Sequence, residues 1–212
     1  MLNSQRLRRF HQTYSRGKVI RSLGDRIGLV RFGSVDPRSD DHDSIRGITA
    51  SVRHRDRHFA VGSYDGYDIS IADRTYQPLH GSVTHTWCVL QVTLRNADLP
   101  YTLITPSVHI KDFEGVIALQ RNLIAAPLET FPQEFTSRYR IYTSSHDAHT
   151  LETLLPKKLA LAGAVRLWPH AVELHHNKLY VYITEHRLTE TVLGGAVESA
   201  LWLADALDEQ SA

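Results

Sequence analysis

Thirteen histidines in 212 residues put metal chemistry first among the reactions this chain could support. His146-Asp147-Ala148-His149 lies near the start of an expected helix, and His175-His176 lies further along, with His170 close by. Imidazole nitrogen and carboxylate oxygen suit Zn2+ or a similar cation, so His146, Asp147, His149, His175 and His176 are candidate ligands of a metal-assisted hydrolase. Their spacing lacks the His-Glu-x-x-His arrangement that sets two ligands and a general base on one helical face, and there is no cysteine set to complete a site. The competing role for Asp147 is a first-turn carboxylate facing the positive end of the helix dipole, and for the histidines capping or surface positions.

A second constellation is Tyr64-Asp65-Gly66-Tyr67-Asp68, in which Tyr64, Asp65 and Tyr67 could grip a polar ligand beside a flexible glycine. The plainer reading is a bulged strand with packed rings, because glycine inside a strand marks irregular backbone. Neither a Gly-x-x-x-x-Gly-Lys phosphate loop nor a Gly-x-Ser-x-Gly elbow occurs, and no helix carries paired carboxylates. No catalytic residue is assigned and no cofactor is expected, so the reading leans away from an enzyme.

Charge is the stronger signal. Eight Lys/Arg fall within the first 31 residues against Asp25 alone, a local charge of about +7. The other 181 positions hold sixteen basic and twenty-two acidic residues, about −6. Such segregation favours encounter with an acidic surface, because nearby carboxylates do not cancel the field. Arg6, Arg8, Arg9, Arg16, Lys18 and Arg21 are the expected binding residues, and an anionic membrane surface or an acidic protein the expected partner. Nucleic acid is an alternative partner, supported by Arg53-His54-Arg55-Asp56-Arg57-His58. Only Phe10 and Tyr14 interleave aromatic rings with the arm's charge, and no nucleic-acid fold signature is present.

The single cysteine, Cys88, forms no internal disulfide and sits in a strand pattern, where a thiol acts as a small apolar side chain. Leu159 to Val165, interrupted by Gly163, is the longest apolar stretch, far short of the roughly 20 residues a membrane span needs. Met1 to Phe10 lacks a signal-peptide core. The expected location is therefore cytoplasmic, peripheral to the membrane where the basic arm binds.

The elements that must position these groups follow from periodicity. Leu7, Phe10 and Tyr14 predict a short amphipathic helix over Asn3 to Tyr14, and the turn-rich stretch Gly33 to Ser44 predicts a loop. Ile48, Ala50 and Val52 alternate before a turn at Arg55-Asp56, and Phe59 and Val61 resume, predicting a hairpin. Tyr67, Ile69 and Ile71 continue the second strand, with Gly62 and Gly66 at a bulge or bend. Asp73 to Ser82 reads as turns. Val83 to Arg95 places Cys88, Leu90, Val92 and Leu94 on one face and His85, Trp87, Val89 and Gln91 on the other. Asn96-Ala97-Asp98 then turns the chain into Leu99 to Thr105, which Pro100 assigns to an edge.

Beyond Arg138 the texture changes. Tyr139, Ile141 and Thr143 predict a strand, and Ser144-Ser145 a cap for a helix broken at Pro156, its second part ending at Gly163. Val172 and Leu174 pair with Leu179, Val181 and Ile183 across a turn at His176-Asn177. Thr189 caps a final helix with an apolar stripe of Leu193, Ala196, Val197, Ala200, Leu201, Ala204 and Leu207, Leu188 acting as its staple.

That order resembles an uncharacterised bacterial family whose members start with a transmembrane helix and a basic juxtamembrane segment. The resemblance covers most of the chain: the basic arm, Phe32-Gly33, Ile45-Arg46-Gly47, Phe59 to Tyr67, Leu99-Pro100, and Phe131-Pro132-Gln133-Glu134-Phe135 before Arg138-Tyr139-Arg140-Ile141. It continues through Leu154-Leu155-Pro156 and Glu173-Leu174 to Leu179-Tyr180-Val181-Tyr182. The family has no established activity and implies no catalytic residue. Against its pattern, this chain lacks the anchor, which leaves the basic arm as its membrane-directed feature.

The expected architecture is α+β: an antiparallel β meander, then a strand-helix-hairpin-helix half whose terminal helix packs on a sheet. Residues 1–44 form a basic arm and loop and 45–212 the body, with sub-halves 45–130 and 131–212. The expected function is a non-catalytic binding or scaffold module, with a metal-assisted hydrolase or a nucleic-acid-binding protein as alternatives.

Overall fold

The computed structural model describes residues 2–35, 45–50, 54–77, 84–120, 122–126, 129–184 and 187–211, with backbone alone for 2–14, 34 and 35. Ten strands form one antiparallel sheet, flanked by helices. Helix α1 (Leu2–Ile27) leads into β1 (Val30–Arg31) and β2 (Ser34–Val35), both paired with β3 (Arg55–Tyr64). Strands β3, β4 (Tyr67–Tyr76) and β5 (His85–Thr93) form the expected meander. β6 (Leu99–Pro106), α2 (Ile110–Ile117), β7 (Ile124–Ala125), α3 (Gln133–Thr136) and β8 (Tyr139–Thr143) follow. Helices α4 (Ala148–Leu154) and α5 (Lys157–Arg166), the hairpin of β9 (Ala171–His176) and β10 (Lys178–Ile183), and α6 (Glu190–Ser211) complete the chain.

The sheet order is β1-β3-β4-β5-β10-β9-β6-β8-β7, with β2 also paired to β3. The C-terminal hairpin is thus inserted between β5 and β6, and the meander ends at its third strand. This placement also makes β6 an interior strand, against the edge expected from Pro100. The proline is accommodated because pairing with β9 is irregular between Leu99 and Thr102, while pairing with β8 starts only at Thr102.

The first hairpin turns at Asp65-Gly66, not at Arg55-Asp56. Asp65 and Gly66 have φ of 52° and 77°, the left-handed pair that a two-residue hairpin requires, and Asp-Gly adopts it readily. Ile48 and Ala50 lie in turns and the 51–53 stretch outside the described residues, as do 36–44 and 78–83. Asp73 is in mid-strand, since β4 runs on to Tyr76. The bulge falls between Arg57 and Ala60, where His58 has φ of 55°.

Other expectations hold in whole or in part. Cys88, Leu90, Val92 and Leu94 join one buried cluster while Trp87 and Val89 join another, as alternation along β5 demands. Pro156 separates α4 from α5, although α5 continues three residues past Gly163 to Arg166. The α4 cap is Asp147, which makes no capping bond of its own; Ser144 Oγ instead donates to its carboxylate at 2.6 Å. On α6, Thr189 Oγ1 accepts from the Val192 amide at 3.2 Å, and all seven stripe residues are buried.

Each face of the sheet has its own core. One is apolar, built under α1, α3, α4, α5 and α6 and including Ile20, Leu23, Ile69, Leu90, Val181 and Leu201. The other lies under residues 45–50 and α2, with Ile45, Ile48, Trp87, Phe113 and Tyr182. Trp87 and Phe113 stack with centroids 5.4 Å apart, and Tyr182 meets both rings edge-on.

Candidate functional site

The structure separates the proposed metal ligands. His146 and His149 are exposed around the start of α4, while Asp147 accepts from Ser144. His175 packs against the tilted rings of Tyr101 and His176 at the end of β9, and exposed His176 lies 3.1 Å from Asp98. Among the described residues no group of three or more His, Cys, Asp or Glu side chains is arranged to hold a metal ion. The reason is topological, since α4 and the far end of β9 are different regions of the fold. His170 is buried and uncharged near neutral pH, its pKa pushed down to about 4 by burial and by His109.

The aromatic constellation is likewise divided. Tyr64 and Asp65 are exposed at the hairpin tip, but Tyr67 is buried and its hydroxyl donates to Asp205 at 2.8 Å and Asp208 at 3.0 Å on α6. Arg95 covers its ring at 4.1 Å. Burial, followed by the two carboxylates, raises the Tyr67 pKa. Tyr67 therefore fastens the sheet to α6. Asp208 also accepts from the amides of Arg95 and Asn96, closing the turn after β5.

The basic segment forms a single helix twice as long as the Leu7-Phe10-Tyr14 spacing predicts. Its second half packs on the sheet and α6 through Ile20 and Leu23. Arg16 belongs to this anchorage and not to a free arm: it is buried, and its Nε donates to Asp73 at 2.7 Å. That pair sits beside Cys88, an inert thiol whose pKa burial pushes up to about 12. Lys18, Arg21 and Arg26 are exposed, and Arg31 pairs with Asp25 at 3.0 Å. Arg6, Arg8 and Arg9 lie on the same helix toward its start, and their side chains fall outside the described residues.

Of the run from Arg53 to His58, Arg53 lies outside the described residues, and the remaining residues alternate in exposure. Arg55 and Arg57 face outward, but His54 and Asp56 are buried. Asp56 accepts two bonds, from Nε and Nη2 of Arg74, at 2.8 and 2.7 Å. Arg74, itself fully buried, also donates to Arg46 O at 2.8 Å, Thr49 Oγ1 at 2.9 Å and Ile45 O. Alongside, Glu173 accepts from the Ile48 amide at 2.7 Å and the Tyr182 hydroxyl at 2.5 Å. Burial pushes the Glu173 pKa up to about 7 despite both bonds and Arg74 nearby. Gly47, with φ of 81°, passes so close to Tyr182 and Glu173 that no side chain fits. These groups clamp residues 45–50 onto the sheet, and their bonds are spent internally. Sequence reasoning missed this clamp; the available signal was an arginine at an inward-facing position of β4, between Ala72 and Tyr76.

A cleft of about 400 Å³ opens between α1 and the β1–β3 edge, lined by Gly17, Ile20, Arg21, Asp25, Leu29, Arg31, Phe32, Gly33 and His58. Among the described residues Arg21 has no ion-pair partner, and the Nε2 atom of His58 is buried without a hydrogen bond.

The molecule is an α+β protein of one antiparallel sheet with its terminal helix packed on the apolar face. No protein-family model and no curated protein matches the chain. In fold it is similar to the crystal structure of the mycobacterial trehalose monomycolate transport factor A, TtfA, with a TM-score of 0.63 and 9% sequence identity. The match covers 90% of this chain and 93% of that one, so the likeness extends over the whole architecture. Among the described residues no helix is long and apolar enough to cross a membrane.

Proposed function

We propose that this protein is a non-catalytic docking module whose basic N-terminal helix engages an anionic membrane surface. The observation that carries this reading is the contrast between buried and exposed charge. The Arg74–Asp56 and Arg16–Asp73 pairs are consumed in holding the fold, whereas Lys18, Arg21 and Arg26 are exposed on α1 downstream of Arg6, Arg8 and Arg9. Rooted by Ile20 and Leu23, the helix presents cations from a rigid base. Each Lys or Arg near an anionic bilayer contributes roughly 1 kcal/mol, so several together support reversible binding without a span. The sequence resemblance to a family whose members carry a membrane anchor favours work at a membrane surface, and the fold shared with a transport factor is compatible with a non-catalytic module.

Vesicle co-sedimentation tests the reading. Binding to phosphatidylglycerol-containing vesicles at low salt, lost at high salt and absent with phosphatidylcholine alone, is expected. The R6Q/R8Q/R9Q variant should bind on the order of a hundredfold more weakly. Equal binding to neutral and anionic vesicles, or none to either, would reject membrane docking.

A further inference from the structure

We infer that the cleft between α1 and the β1–β3 edge is a binding site for a phosphate-ester headgroup. The inference goes beyond the docking reading, which concerns diffuse attraction by the helix, and assigns one stereochemically defined place. At about 400 Å³ the cleft is within the range of small-ligand sites and larger than a bare phosphate ion needs. Its polar groups come from both walls: Arg21 and Asp25 from α1, Arg31 from β1, and His58 from the bulge in β3. Asp25 is matched by Arg31 at 3.0 Å, which leaves Arg21 as the uncompensated cation among these described residues. A phosphate oxygen placed there gains a charge-assisted bond from a planar guanidinium, the donor geometry best suited to it.

His58 supplies the second, independent observation. Its left-handed backbone at the bulge carries the ring onto Gly17, where a Cβ would lie only 2.5 to 2.7 Å from three ring atoms. The glycine in mid-helix is thus the seat of the imidazole. The ring's unpartnered Nε2 is a polar atom that a small rearrangement toward a bound anion would satisfy. Ile20 and Leu29, both buried, form an apolar floor for the carbon skeleton of the ester, and Gly33 leaves the approach open. Two sources share this chemistry, a soluble phosphate ester and the headgroup of a phospholipid.

NMR titration of the full chain distinguishes them, using glycerol 1-phosphate in one arm and dihexanoyl phosphatidylglycerol below its micelle-forming concentration in the other. Saturable shifts of the His58 ring and Arg21 side-chain signals are expected in at least one arm. The tighter arm identifies the source. R21Q, at an exposed position, should weaken binding about tenfold, as loss of one charge-assisted bond predicts, and G17A should weaken it by displacing the imidazole. The inference is overturned if neither ligand produces saturable shifts at these residues, or if R21Q and G17A both bind as the parent does. Its failure is separable from failure of membrane docking: vesicle binding that persists without cleft shifts removes the headgroup site alone. Conversely, cleft shifts retained in R6Q/R8Q/R9Q, with vesicle binding lost, support the site as an independent feature.

Discussion

The two faces of the sheet hold their coverings by different means. On one, α6 and the second half of α1 lie over a broad apolar cluster, with Arg16–Asp73 as a buried ionic fastening. On the other, six residues without regular structure are held by Arg74, Glu173 and Tyr182. A helix satisfies its own backbone and needs only an apolar stripe to dock. An irregular segment must find partners for its amides and carbonyls in the sheet, so burying it demands buried polar side chains. The lesson is that the buried charge around Arg74 and Glu173 serves backbone satisfaction, whereas the Arg16–Asp73 pair joins a helix to the sheet through side chains alone.

The sharpest way to break this comparison is to remove the arginine from each face. R74M removes the donor shared by Asp56, Thr49 and two carbonyls and should destabilise the fold by about 4 kcal/mol. R16M leaves mainly Asp73 and should cost about 3 kcal/mol. Urea denaturation measures both; a costlier R16M would reverse the ranking of the two faces. Next comes G47A, in which a β-carbon meets Tyr182 and Glu173 in a left-handed backbone, with an expected loss of about 3 kcal/mol.

The clamp also carries a pH signature. Glu173 has a folded pKa of about 7 against a reference of 4.5, so between these values the native state binds more protons than the unfolded chain. Stability from this group is therefore fully present below about pH 4.5 and declines as pH rises toward 7, by on the order of 3 kcal/mol. Denaturation across that range should show E173Q with a flatter dependence than the parent; identical slopes would remove Glu173 as the titrating group. On the helical face, Y67F deletes the hydroxyl shared by Asp205 and Asp208 and should cost about 1 to 2 kcal/mol in the same assay. Smallest of all, H149A and H176A alter exposed side chains and should shift stability by less than about 0.5 kcal/mol. Calorimetric Zn2+ titration should likewise give the same isotherm for both variants as for the parent, and a stoichiometric site lost in either would restore the metal reading.

Much of the architecture was legible because it rests on local pattern. Alternation along Cys88 to Leu94 assigned both faces of β5, and the Leu193 to Leu207 stripe with its Thr189 cap described α6. Asp65-Gly66 carries a turn signal, but the alternation before it points to an earlier turn at Arg55-Asp56, which leaves Gly66 as a bulge or bend. Nothing beside Arg16 in the chain is acidic, so local sequence marks it as a binding cation, whereas its partner is 57 positions away. The cleft was not legible at all, because Arg21, Arg31 and His58 share no spacing and meet only when α1 lies along the strand edge.

Residue order by itself determined the two faces of β5, the C-terminal hairpin, the stripe and cap of α6, and that cations gather at the start of the chain. Periodicity and capping act over a few residues, so the chain carries them openly. Tertiary structure alone decided that the last hairpin enters between β5 and β6, that Arg16 and Arg74 are interior, and that Glu173 holds a distant segment by its amide. Those outcomes depend on which distant groups satisfy one another once water is excluded, and that choice is made by the packed sheet as a whole.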